Sequence, residues 1–131
     1  MKLTSLLRDE TAYSSVSWHS SQTIPGVRFA IRRVSLRQRI ELNHRVRELA
    51  MKHEFLNAGD AANQLEGALS DLLVTRLYLE WGLESIEGLL IDGQKATADS
   101  LVANGPENLA DEIARVIQTE SALTDDERKN S

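Results

Sequence analysis

Cationic side chains crowd one stretch of this chain. Between positions 28 and 53 stand Arg28, Arg32, Arg33, Arg37, Arg39, Arg45, Arg47 and Lys52, against only Glu41 and Glu48, a formal charge of +6. Guanidinium groups suit planar anions, so Arg28, Arg32, Arg33, Arg37 and Arg39 are candidates for contact with phosphate or carboxylate. Three observations favour a protein partner over nucleic acid. The whole chain is acidic, with a net charge of -5. The block has none of the interleaved aromatics of a base-stacking surface. No nucleic-acid-binding motif of the usual kinds is present. Residues 54–131 carry a formal -11. A basic part and an acidic part in one molecule attract each other within the fold; they also permit homo-oligomers or an acidic partner.

The remaining reactive types do not form a site. His19, His44 and His53 lack the HExxH spacing of a zinc helix, and His44 and His53, nine apart, cannot share one coordination sphere on a helix. His53 falls on an apolar arc and is read as packed there. Glu80, Glu84 and Glu87 recur at helical spacing and read as a solvated face, because acid–base work needs a pocket and separated pKa values. The serines lack a G-x-S-x-G context, and the glycines form neither a Walker loop nor GxGxxG. No catalytic, cofactor-binding or metal-ligating residue is assigned, and no cofactor is expected. The reading is of a protein that is not an enzyme. Trp81 is assigned to the core, while Tyr78 is kept with the five arginines as a candidate partner-binding residue.

The elements that must position these residues follow from length and periodicity. The chain has 131 residues and no cysteine, which fits one domain with a single core and excludes disulfides and thiolate metal sites. The opening MKLTSLLRDE lacks the apolar run of about 7–15 residues that a signal peptide needs. No stretch approaches the roughly 20 apolar residues of a membrane span, so a soluble cytoplasmic protein with no membrane contact is expected. Residues 1–26 form a polar segment in which Val16 and Trp18 mark a short strand; His19, Ser20, Ser21 and Gln22 would end it, and Pro25-Gly26 is a turn. Val27, Phe29 and Ile31 alternate with Arg28, Ala30 and Arg32, a second strand, so a hairpin of about 13–18 with 27–33 is expected.

Ser35 suits the N-cap of a helix over 36–56, with Leu42, Val46, Leu49 and Leu56 on one arc and Leu36, Ile40, Met51 and Phe55 on the next. Asn57 to Gly59 would end it. Asp60 would cap a second helix over 61–87, weakened at Gly67 and Gly82 and closed by Gly88. Leu89, Leu90 and Ile91 read as a buried loop or short strand before an Asp92-Gly93 turn. Thr97 caps a helix over 98–103, ended by Asn104-Gly105. Pro106 fits the first position of a helix whose stripe is Leu109, Ile113, Val116 and Ile117. Thr124 to Glu127 spells a capping box in a charged tail. The expected fold is mainly α: a compact domain of about four helices with a small N-terminal β-hairpin. It divides into residues 1–26, a single helical domain with a leading strand at 27–122, and a tail at 123–131.

Four phrases in order carry a resemblance: TIPGVRFAIRRVSLRQRIEL at 23–42, LYLEWGLESIEGLLIDGQKAT at 77–97, GPENLADEI at 105–113 and LTDDERKNS at 123–131. Together they resemble small bacteriophage and prophage tail-morphogenesis proteins of the tail assembly chaperone type. The resemblance covers residues 23–131 and implies a helical, non-enzymatic protein of the bacterial cytoplasm. Such a protein binds tape-measure or tail-tube protein during virion assembly, and the resemblance carries over no site residues. The broad apolar faces of the helices at 36–56 and 61–87 are compatible with such contacts. Two alternatives stay open: a structural subunit retained in the tail, and a small nucleic-acid-binding regulator that uses the arginines of 28–39.

Overall fold

Strand β1 (Val16–Ser20) pairs antiparallel with β2 (Arg28–Arg32), so the expected hairpin forms, with its first strand running on through His19 and Ser20. The computed structural model describes residues 10–54 and 61–121, with side chains described over 10–52 and 67–121. Ser20 lies opposite Arg28, and the polar side chains at positions 19 and 20 do not break the strand because the backbone ladder to β2 continues. The Pro25-Gly26 turn follows, with Gly26 at φ +86°.

The sheet has a third strand that the sequence reading places in a helix. The helix at 61–82 stops at Gly82, and β3 (Leu83–Glu87) adds to β2 in the order β1-β2-β3. The helical expectation for 83–87 fails for an identifiable reason. Leu83 and Ile86 are both buried although they are three residues apart, which imitates helical periodicity. A β-bulge produces that spacing: Ser85 lies opposite Ala30 and Leu83 opposite Ile31, leaving Glu84 as the extra residue. The mainly α expectation is corrected accordingly. The described residues hold four helices, a three-stranded antiparallel sheet and a two-stranded ribbon, β4 (Leu90–Ile91) with β5 (Gln94–Lys95). That ribbon closes through Asp92 at φ 52° and Gly93 at φ 80°, the doubly left-handed turn that suits two-residue hairpins.

The helices are α1 (Leu36–Glu54), α2 (Ala61–Gly82), α3 (Ala98–Asn104) and α4 (Glu107–Ser121). Ser35 caps α1 as expected, its hydroxyl accepting from Gln38 N while the Gln38 side chain accepts from Ser35 N. Thr97 caps α3 through a reciprocal pair with Ser100. α4 begins one residue after Pro106, whose carbonyl accepts from Ala110 N. The Asn57–Gly59 stop, the Asp60 cap, the side chain of His53 and the Thr124–Glu127 box lie outside the described residues.

The core forms where the inner sheet face meets the helices. Val27, Phe29 and Ile31 of the β2 segment and Ile86 of β3 pack with Leu42, Tyr78, Leu79, Leu101, Leu109, Ile113 and Ile117. Each such side chain contributes about 1.5–3 kcal/mol on burial, so this cluster is what holds sheet and helices together. Tyr78 is 5% exposed and belongs to the core, where burial raises its phenol above the ordinary 10.0. Trp81 is half-buried against the same core. Gly82 lets α4 approach, since a Cβ there would meet Ile117 Cγ2 at 2.8 Å. No helix among the described residues is long and apolar enough to cross a membrane.

Candidate partner-binding surface

Period two places Arg28 and Arg32 of β2 on the sheet face away from the core, on either side of Ala30. The register brings Trp18 of β1 opposite Ala30, so Arg28 is its diagonal neighbour. The Arg28 guanidinium stands 4.7 Å from the Trp18 ring centroid, and its Nη1 donates to Glu87 Oε1 at 3.1 Å. Arg32 repeats the arrangement: Nε and Nη2 both donate to Glu84 Oε1, at 3.1 and 2.8 Å, and the guanidinium stands 5.9 Å from the Trp81 ring centroid. Just past the strand, Arg33 lies 5.8 Å from Tyr13 and donates to Ser14 O at 3.3 Å. The bulge matters here, because it leaves Glu84 within reach of Arg32.

The six candidates of the sequence thus separate. Arg28, Arg32 and Arg33 each lie over an aromatic ring, Trp18, Trp81 and Tyr13 respectively. Arg37 is exposed on α1. Arg39 turns inward, its Nε donating to Ser121 O at 3.2 Å while Asn43 Nδ2 donates to the same oxygen at 2.7 Å. That carbonyl ends α4, where a cation and a donor satisfy an orphan acceptor and favour the helix dipole. Tyr78, being buried, offers a partner almost no area. The sequence shows no aromatic interleaving, yet the fold supplies three rings to three arginines. Sequence reasoning does not bring Trp18, Trp81, Glu84 and Glu87 to this surface, since only the strand register shows their proximity.

Electrostatically the sheet face is balanced. Glu84 and Glu87 each hold one arginine, so the two rows sum to no net charge. Exposed ion pairs and cation–π contacts each contribute about 0–1 kcal/mol. With Trp18 41% exposed, a flat aromatic and two ordered guanidiniums are displayed together, the residue types enriched at interface hot spots.

A second polar group gathers where β1 meets α4. His19 stacks on Phe29 at 5.5 Å, and its Nε2 lies 3.0 Å from Ser17 Oγ and 3.2 Å from Glu120 Oε2. Serine, histidine and carboxylate do not form a relay here, because both partners share one ring nitrogen, whereas a nucleophile–base–orienter chain needs the two nitrogens on opposite sides. Next to it, Glu112 binds the 21–24 turn, accepting from Ser21 Oγ and from Gln22 N at 2.6 Å each. Burial pushes its carboxyl up, but the hydrogen bonds from Ser21, Gln22 and Thr23 outweigh that and hold it below the ordinary value. Both groups tie β1 and its turn to α4. Among the described residues no three metal-ligating side chains converge. Comparison of the chain with protein-family models, with curated proteins and with solved structures gives no match.

Proposed function

We propose that this protein is a non-enzymatic assembly factor of the phage tail assembly chaperone type, acting in the bacterial cytoplasm by holding tape-measure or tail-tube protein during tail morphogenesis. The four ordered phrases of 23–131 support the type. The observation that carries the mode of action is the sheet face on which Arg28 and Arg32 lie beside Trp18 and Trp81, each arginine ion-paired with a glutamate. Such a face recognises folded or partly folded protein through aromatic and guanidinium contacts and has little field left for phosphate.

Co-expression with tape-measure and tail-tube proteins from the same phage or prophage tests the proposal. One of them is expected to co-purify, and the combined Trp18→Ala, Arg28→Glu variant should weaken that complex by about thirtyfold, the scale of one hot spot. Thermal unfolding of the variant should move by only a few degrees, since the lost surface contacts contribute about 1 kcal/mol. Failure of both proteins to co-purify, with normal tails in a deletion strain, would remove the proposal. Mass spectrometry of mature particles separates an assembly factor that leaves from a subunit that stays.

A further inference from the structure

Helix α1 has two apolar faces, and the core uses only one. Leu42 is fully buried and Val46 packs on the same cluster. Leu36, Ile40 and Met51 point the other way: at 100° per residue they share an arc about 60° wide, centred roughly 150° from Leu42. They are 73%, 62% and 55% exposed. From Leu36 to Met51 the line runs four turns, about 22 Å. Single exposed apolar residues need no explanation, but Leu36 and Ile40 adjoin one turn apart, and Met51 extends their arc three turns on, past Asn43 and Arg47.

Beside this line the charges without an ion-pair partner have one sign. Arg47 falls within the arc, with His44 about 20° and Arg37 about 40° beyond its edge. Glu41 lies on the flank and is held by Arg45 at 3.2 Å, and Glu48 lies 3.9 Å from His44. Arg37 and Arg47 have no ion-pair partner among the described residues. An apolar partner laid along Leu36, Ile40 and Met51 would desolvate these guanidiniums, which is costly unless it brings carboxylates. A second copy is the poorer fit: laid parallel, its α1 would bring Arg37 and Arg47 of both chains together, and laid antiparallel it would offer Arg47 only Glu41, a carboxylate that Arg45 already holds.

We infer that the outward line of α1 docks an acidic amphipathic helix of a partner protein, four turns or longer, whose apolar stripe covers Leu36, Ile40 and Met51 and whose carboxylates meet Arg37 and Arg47. The surface uses none of the sheet-face residues, so it stands whether or not that face binds tail proteins.

The test titrates the full-length protein into a fluorescein-labelled synthetic helix of about 18 residues, long enough for the four turns. It carries leucine at heptad positions a and d and glutamate at e and g, and a lysine-flanked twin serves as control. The glutamate peptide should bind, and the lysine peptide should bind about tenfold more weakly or worse. Ile40→Asp and Met51→Asp should each cost about tenfold or more. The Arg37→Glu, Arg47→Glu pair should weaken the glutamate peptide and strengthen its lysine twin, a reversal that mere stickiness does not produce. All four positions are exposed, so circular dichroism should be unchanged. No binding of the glutamate peptide, equal binding by the charge-reversed pair, or loss of binding on Trp18→Ala would overturn the inference. So would a wild-type dimer in sedimentation that Ile40→Asp splits, since a second copy would then cover the line.

Discussion

Glu112 shows how one carboxylate can organise a turn. Its two oxygens gather Ser21 Oγ and Gln22 N from 91 and 90 residues away, and Ser21 Oγ also accepts from Thr23 N and Ile24 N. The folded carboxyl lies below its ordinary 4.5, so the tether stabilises the protein above that value and is lost as pH falls through the folded one. Glu112→Ala should therefore lower stability by about 1 kcal/mol at neutral pH, allowing for a partly solvated site. The gap between variant and wild type should close as pH falls below the ordinary 4.5 and through the lower folded value. Thermal unfolding at several pH values measures it, and a gap independent of pH would contradict the tether. Nothing in the spacing of Ser21 and Glu112 reveals this contact. Arg39 is the same lesson reversed: by type it belongs with the other arginines, and its position beside the end of α4 makes it a cap.

At the scale of elements, the bulge in β3 and the glycine after it decide the sheet. Gly88 has φ +84°, and a Cβ there would collide with the carbonyl oxygen of Gly26, so the two turns meet because Gly88 has no side chain, whereas a Cβ on Gly26 would meet nothing within 4 Å. Gly93 has a similar φ of +80° but nothing within 4 Å of an added Cβ. Gly88→Ala should thus lose about 2–3 kcal/mol, strain plus collision, while Gly93→Ala should lose about 1 kcal/mol from strain alone. Denaturant unfolding of the two variants compares them, and equal losses would show that the Gly26 contact contributes nothing. The caps at Ser35 and Thr97 and the Asp92-Gly93 turn are legible because each is written within four residues. The end of α2 is not, because the bulged strand repeats apolar residues every three positions and so copies the helix before it.

For the whole molecule, the +6 of residues 28–53 is divided by the fold. Arg28 and Arg32 are matched by glutamates on β3, Arg45 by Glu41, and Arg39 is turned to the end of α4. Without a carboxylate among the described residues stay Arg33, which lies over Tyr13, Lys52, and Arg37 and Arg47 beside the apolar residues of α1. A labelled oligonucleotide should show no binding tighter than about 10 μM even at roughly 50 mM salt. Anisotropy at two salt concentrations checks this, and tight binding that weakens steeply with salt would establish the nucleic-acid alternative.

The sequence by itself determined the local structure: strands at Trp18 and at Phe29–Ile31, the capped helices, the Asp92-Gly93 turn, and the stripe Leu109, Ile113 and Ile117 that faces the core. Each depends on contacts within a turn or on a period of two or 3.6, which the order of residues contains. Tertiary structure alone decided what meets across the sheet and which helix faces are covered. Trp18 came to Arg28, Glu84 to Arg32, and Leu36, Ile40 and Met51 were left outside because α1 has two apolar arcs and the core accommodates one. Those outcomes depend on register and packing between segments tens of residues apart, and no spacing along the chain encodes them.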